Sequence, residues 1–280
     1  EVIKIESRVK PDMLRFWAGE DDSPLFHFSN RSKYGVDLNL KDPAGRSAFL
    51  ALVATADVVI ENYRRGVLER LDLDFDVLRE ANPTVTLASI SGQGLDGPLA
   101  GHTTFGSTLE ATSGFSALTT DEAGRPMISG ANLNYPDQTV CLFAAAVIVA
   151  AVTTVRRTGA ATHLDVSQRD VAIYACGPVL EQLARGGAPA TWPARLDASG
   201  GWVAEGADGT EQPVLTGPQL LEACRAEAST AVIDAPYGGL TKGFPFRFSS
   251  RTMTISGPAP AIGQDDDRYL IPRPNSREHA

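Results

Sequence analysis

Short alternating or apolar runs recur along the chain, separated by longer segments of helical period. Residues 2–5 alternate apolar and charged side chains and predict a short strand. Residues 7–30 mix Pro, Gly, Asp and aromatics without a period and read as a long, partly ordered surface segment. A second alternating strand follows over residues 34–40. Asp42-Pro43 then opens a helix, with Asp as N-cap and Pro at the first helical position. Its apolar face carries Phe49, Leu50, Leu52 and Val53. Residues 57–61 predict a buried strand that ends at Asn62-Tyr63-Arg64-Arg65-Gly66. Two short helices, over 67–71 and 75–81, lead to a strand at 84–90. That strand runs into the glycine-rich loop Ser91-Gly92-Gln93-Gly94-Leu95-Asp96-Gly97-Pro98. Strands alternating with helices at this spacing predict right-handed βαβ units. The expected fold class is α/β, a Rossmann-like and mostly parallel sheet flanked by helices.

The longest apolar run, from Val140 to Val152, follows Tyr135-Pro136-Asp137-Gln138-Thr139 and predicts a helix buried on nearly all sides. Asp137 stands at its mouth, where an N-cap belongs, and Arg156-Arg157 with Gly159 closes it. A carboxylate there accepts orphan N–H groups and feels the positive end of the dipole, which keeps it ionised. This is either ordinary capping chemistry or the making of an anionic nucleophile. Before this helix, residues 105–113 read as helix and 118–134 as loop. After it, 162–167 is a strand and 168–184 one helix. Gly, Ala, Pro and Trp192 then mark a linker. Residues 202–204 read as a strand of a small, incomplete unit, 219–228 as a helix, 244–249 as a strand returning to the main body, and 258–263 as an extended end. The implied division is a large domain over 1–186, a linker and reduced small domain over 187–240, a return segment over 241–271, and a disordered tail over 272–280.

Composition narrows the partners. A net charge of −9 argues against nucleic-acid binding, since phosphate backbones demand an excess of cations. The 3 cysteines (Cys141, Cys176, Cys224) and 4 histidines (His27, His102, His163, His279) form no metal or disulfide spacing. A reducing cytoplasm is the expected location and no metal is expected. Residues 1–6 lack a signal-peptide pattern. The run 140–155 is shorter than the ~20 residues of a membrane span, so it reads as a core helix.

Several segments together resemble the family III CoA-transferases, the group of formyl-CoA transferase, carnitine CoA-transferase and alpha-methylacyl-CoA racemase. The resemblance lies in Val2-Ile3-Lys4-Ile5-Glu6, Asp37-Leu38-Asn39-Leu40-Lys41, Ala56-Asp57-Val58-Val59-Ile60-Glu61-Asn62-Tyr63 and Gly66-Val67-Leu68-Glu69-Arg70-Leu71. It continues in Ala88-Ser89-Ile90-Ser91-Gly92, Arg157-Thr158-Gly159, Asp165-Val166-Ser167 and Gly243-Phe244-Pro245-Phe246-Arg247. It implies that Asp137 is the catalytic carboxylate, attacking an acyl-CoA thioester and relaying CoA to a small carboxylic acid through anhydride and thioester intermediates. It implies coenzyme A as substrate, with no metal, nicotinamide or flavin, and an interlocked homodimer.

By the same resemblance, Asn62 and Tyr63 match an Asn-aromatic pair against the CoA nucleotide, and Arg70 matches a basic residue near its phosphates. Arg64 and Arg65 add local positive charge, although a solvated helix face would look the same. Gly92 and Gly94 resemble a loop beside the active site, and ordinary turn glycines read alike. Three departures stand out. The family's first strand and following loop lie upstream of Glu1, the small domain is shortened between Trp202 and Gly239, and the racemase branch's acid/base histidine falls on Phe105, with His102 three residues earlier. These departures keep two other readings open: an acyl-CoA racemase or isomerase, and an inactive truncated member acting as a binding or interaction subunit.

Overall fold

The computed structural model describes residues 1–19, 23–118, 120, 123–129, 134–187, 195–196, 200–205, 209–227 and 229–270. The chain divides into two compact units, Glu1–Leu52 with Leu215–Ala280, and Val53–Val214. In the first, β1 (Ile3–Glu6) pairs in parallel with β2 (Tyr34–Asp37), Ile3 opposite Tyr34 and Glu6 opposite Asp37. Between them lie a 3-10 stretch, Met13–Gly19, and α1, Pro24–Asn30. The segment read as aperiodic and partly ordered therefore contains two helical stretches. Its order comes from polar contacts that hydrophobic period cannot reveal. Arg15 donates from Nε and Nη2 to the two oxygens of the buried Glu6, at 2.7 and 2.9 Å. The Arg15 guanidinium also lies 3.9 Å from the ring centroid of the buried Phe26. Helix α2, Pro43–Val53, starts with Pro at its first position as predicted.

The second unit holds a three-stranded parallel sheet in the order β3 (Val58–Glu61), β4, β5. Two short helices, α3 (Val67–Arg70) and α4 (Phe75–Ala81), connect β3 to β4 (Thr86–Ser91). The longer crossover to β5 contains α5 (Gly106–Thr112), α6 (Phe115–Leu118) and α7 (Tyr135–Thr158). Strand β5 spans Thr162–Ser167, as expected. Thr86 pairs with Val58 on one side and Thr162 on the other, so the strands run in step to Ser91 opposite Ser167. Central β4 is buried, while β3 is an edge strand with Ile60 59% exposed, which corrects the expectation of a buried strand there. The parallel architecture itself matches the predicted α/β class.

Helix α7 buries one stripe: Pro136, Val140, Ala144, Ala151 and Val155. Val140 and Ala144 join Val166 and Val171 in one core cluster, with Ile90 and Leu164 packed against it. The opposite face is open, with Leu142 74% and Val149 67% exposed, so the helix is not buried on nearly all sides. By length and apolarity it is also the one helix among the described residues that could cross a membrane.

The single helix expected over 168–184 is two: α8 (Gln168–Ala175) and α9 (Gly177–Ala184), which meet at Cys176. Pro178 explains the break, since it lacks an N–H and its ring crowds the preceding turn. Strands β6 (Arg195–Leu196), β7 (Trp202–Glu205) and β8 (Glu211–Pro213) form a small antiparallel sheet. The first unit resumes with α10 (Gly217–Ala226), the hairpin β9 (Val232–Asp234) and β10 (Leu240–Lys242), and α11 (Asp266–Tyr269). Residues 244–249, expected as a strand, form none. Phe244, Phe246 and Phe248 there contact one another ring to ring at 6.1 and 5.7 Å. The linker at Trp192 and the tail after Leu270 lie outside the described residues.

Asn82, buried after α4, closes the turns around it. Its Nδ2 donates to the Val53 and Ala56 carbonyls at 3.0 and 2.8 Å, and its Oδ1 accepts from Thr84 N at 3.0 Å. Replacing Asn82 with Ala leaves these groups unpaired and is expected to cost about 1–3 kcal/mol in urea denaturation.

Candidate active site

Because β3, β4 and β5 are parallel and in step, the residues that follow them emerge at one edge of the sheet. Asn62-Tyr63-Arg64 follows β3, Gly92-Gln93-Gly94 follows β4, and Gln168 follows β5. In open α/β sheets this carboxyl edge is where ligands bind. Asn62 Nδ2 donates to the Ile90 carbonyl, tying the end of β3 to β4. Tyr63 N donates to Glu61 Oε2 at 2.7 Å, and the residue is 46% exposed. Arg64 Nη1 donates to Thr103 Oγ1 at 3.1 Å. Arg70 is exposed on α3, whose N-cap Gly66 has a left-handed φ of 78°. A cavity of about 40 Å³ lies beside this turn, lined by Glu61, Arg64, Phe75, Ser89 and His163 among others.

The glycine loop is held against the next neighbour. A Cβ on Gly92 would fall 1.8 Å from Thr104 Oγ1, so a side chain there would displace Thr104. The Gly92 carbonyl accepts from Arg169 N at 3.1 Å, and Gly94 adopts φ 80° just before Leu95 N donates to Asp165 Oδ2 at 2.9 Å. The loop is thereby fixed to the start of α8.

Asp137 meets the same place. Its Oδ1 accepts from Gln168 Nε2 at 2.9 Å. It lies within the first turn of α7, and the N-cap is Asn134. The expected cap assignment is corrected by this geometry, and the surroundings shift the carboxyl's pKa up, where a helix end alone would lower it. Burial is the largest influence on Asp137 and pushes its pKa up, and the negative charge of Glu110 pushes the same way. Hydrogen bonds from Gln168 and Asn134 pull it down, but the net direction is upward. Desolvation outweighs the helix end here.

Glu110 on α5 is 1% exposed. Its carboxylate accepts from Ser129 N at 2.9 Å, Tyr135 N at 3.1 Å and the Ser129 hydroxyl. It thus joins the 123–129 segment to the first N–H of α7. Gly106 makes the close approach possible, since a Cβ there would fall 2.1 Å from Asn134 Cβ. Glu110, Gln168 and Asn134 were not singled out by sequence. A lone Glu on a short helix and a Gln after a capping Ser carry no pattern of their own. Phe105, at the racemase position, is the 57% exposed N-cap of α5, and His102 is exposed in the preceding loop. Among the described residues, no group of three or more His, Cys, Asp or Glu is placed to hold a metal.

Residues 1–198 match the sequence profile of CoA-transferase family III. The chain belongs to that family. It is 33% identical over 180 residues to the succinate–glutarate CoA-transferase of Agrobacterium fabrum, covering 61% of this chain and 44% of that enzyme. It is 38% identical over 151 residues to the acetyl-CoA:oxalate CoA-transferase of Acetobacter aceti, covering 54% and 38%. The chain therefore spans less than half the length of these curated relatives. A CAIB/BAIF family protein from Brucella suis has the same fold, with a TM-score of 0.83 at 22% identity over 95% of this chain and 90% of that one.

The raised Asp137 pKa has a stability consequence. A carboxyl whose folded pKa exceeds its unfolded value favours folding below the unfolded pKa, and that contribution is lost as pH rises through the folded pKa. At neutral pH the ionised group is thus a burden on the fold. Asp137→Asn is expected to raise the melting temperature at pH 7, with a gain that shrinks towards pH 3, as followed by scanning calorimetry.

Proposed function

We propose that this chain moves CoA from an acyl-CoA to a small carboxylic acid, with Asp137 as the nucleophile. The observation that carries the reading is Asp137 itself, held by Gln168 at the carboxyl edge of a parallel sheet. Asp137 adds to the thioester carbonyl and expels CoA thiolate, leaving an acyl–aspartyl anhydride. The thiolate then adds to Asp137 Cγ and expels the acyl group as a free carboxylate, leaving an aspartyl-CoA thioester. An acceptor carboxylate runs both steps in reverse and leaves as the new acyl-CoA. Each step exchanges acyl derivatives of similar energy, so one hard transfer becomes several easier ones. Nothing in this sequence calls for electron transfer or a Lewis acid.

In this reading Asn62, Tyr63, Arg64 and Arg70 hold the CoA nucleotide and phosphates, and the Gly92–Gly94 loop borders the reacting thioester. Support comes from their emergence beside Asp137's partner Gln168 along one sheet edge, and from the relatives' named reactions. Asp137→Asn is expected to lower exchange at least about 10³-fold. The assay incubates succinyl-CoA, acetyl-CoA or formyl-CoA with oxalate or glutarate and follows the new thioester by chromatography. Undiminished transfer by the variant rules out the nucleophile. Failure of the unsubstituted chain to exchange or bind CoA favours the interaction-subunit reading.

We also propose that the chain pairs with a second copy of itself, partly through the open face of α7. Leu142, Phe143 and Val149 make that face apolar, and burying it would remove their surface from water. Sedimentation at micromolar concentration is expected to give a dimer, and the double change Leu142→Glu with Val149→Glu a monomer. A monomeric unsubstituted chain counts against the pairing.

A further inference from the structure

The Asp137 carboxylate accepts hydrogen bonds from the side chains of Gln168 and Asn134. Oδ1 is held by the Gln168 side-chain amide at 2.9 Å. Gln168 is itself fixed on both sides in the chain. Ser167 caps α8 by accepting from Asp170 N at 3.1 Å, and Arg169 N donates to the Gly92 carbonyl at 3.1 Å. The amide thus projects from backbone anchored to two elements, and it touches an atom whose charge changes during the proposed reaction.

We propose that the Gln168 side-chain amide is a catalytic oxyanion donor for additions at Asp137 Cγ. The inference rests on reading Asp137 as the nucleophile. If the atom not held by Gln168 attacks the thioester, Oδ1 becomes the carbonyl oxygen of the aspartyl half of the anhydride. When CoA thiolate adds to Cγ, the new S–C bond forms and the carbonyl π pair moves onto Oδ1. Collapse restores the carbonyl and breaks the bond from Cγ to the bridging oxygen, whose electron pair leaves with the acyl carboxylate. The negative charge therefore develops on the atom that faces Nε2. A donor at 2.9 Å falls within the range that stabilises such an oxyanion, and it needs no reorganisation as the charge forms. In the earlier attack on the thioester, the oxyanion develops on the substrate's own carbonyl oxygen. Gln168 does not serve that step.

The two steps can be read separately. The full chain is mixed with succinyl-CoA and quenched in acid. Free thiol reports the first step, and a CoA adduct on the Asp137 peptide, seen by mass spectrometry, reports the second. Gln168→Met removes the donor at similar size. The expected result is free thiol released as fast as in the unsubstituted chain but persisting, because its capture as the adduct is slowed about 10²–10³-fold. Gln168→Glu, which also lacks the donor, serves if the Met variant does not fold by circular dichroism. Equal slowing of both steps, or an unchanged adduct rate in a folded variant, overturns the inference. Asp137→Asn run beside them separates the premises: if it exchanges normally, the nucleophile assignment has failed, and the role of Gln168 with it.

Discussion

Parallel pairing of β3, β4 and β5 in matched register is the constraint on which the candidate site depends. With Val58, Thr86 and Thr162 side by side, the chain leaves all three strands at one edge. Hydrogen bonds stitch those exits together, from Asn62 to the Ile90 carbonyl and from Arg169 N to the Gly92 carbonyl. Shifting one strand by one residue would turn its side chains to the opposite face and separate the exits. The chemistry therefore rests on backbone geometry before any side chain enters.

On that edge, the electrostatics of α7 are a contest that the helix end does not win alone. The first turn of a helix favours an anion, yet burial and the nearby Glu110 oppose ionisation of Asp137. The Glu110 carboxylate is itself satisfied by Ser129 N and Tyr135 N. A buried acid with backbone donors can fix a loop to a helix start, and it places a second negative charge near the first. The Gln168 and Asn134 bonds work against that charge. The balance leaves Asp137 less acidic than a free aspartate, which in the proposed reaction favours it as a nucleophile.

Much of this fold could be read in the amino acids. The strand Thr162–Ser167, the helix Phe75–Ala81 and the Gly159 stop of α7 stand where the sequence reading put them. Two kinds of feature escaped. Order in the first thirty residues depends on Glu6 meeting Arg15, a pairing of charges that no apolar period records. The site partners escaped for a related reason: Gln168 is 31 residues from Asp137, and only the tertiary fold brings them together. The apolar run of α7 was legible as a helix, but not its one-sided burial. Ala and Val look alike whether they face the core or a surface that another molecule covers.

Helix α7 is roughly 36 Å long at 1.5 Å per residue. Its first turn carries Asp137, and its middle carries Leu142 and Val149 in the open. One rod thus carries both the proposed reactive group and the open apolar face proposed for pairing. On the proposed pairing, a partner gripping that middle would damp the bending and fraying of the first turn, and so tie assembly to reactivity through the stiffness of a single helix.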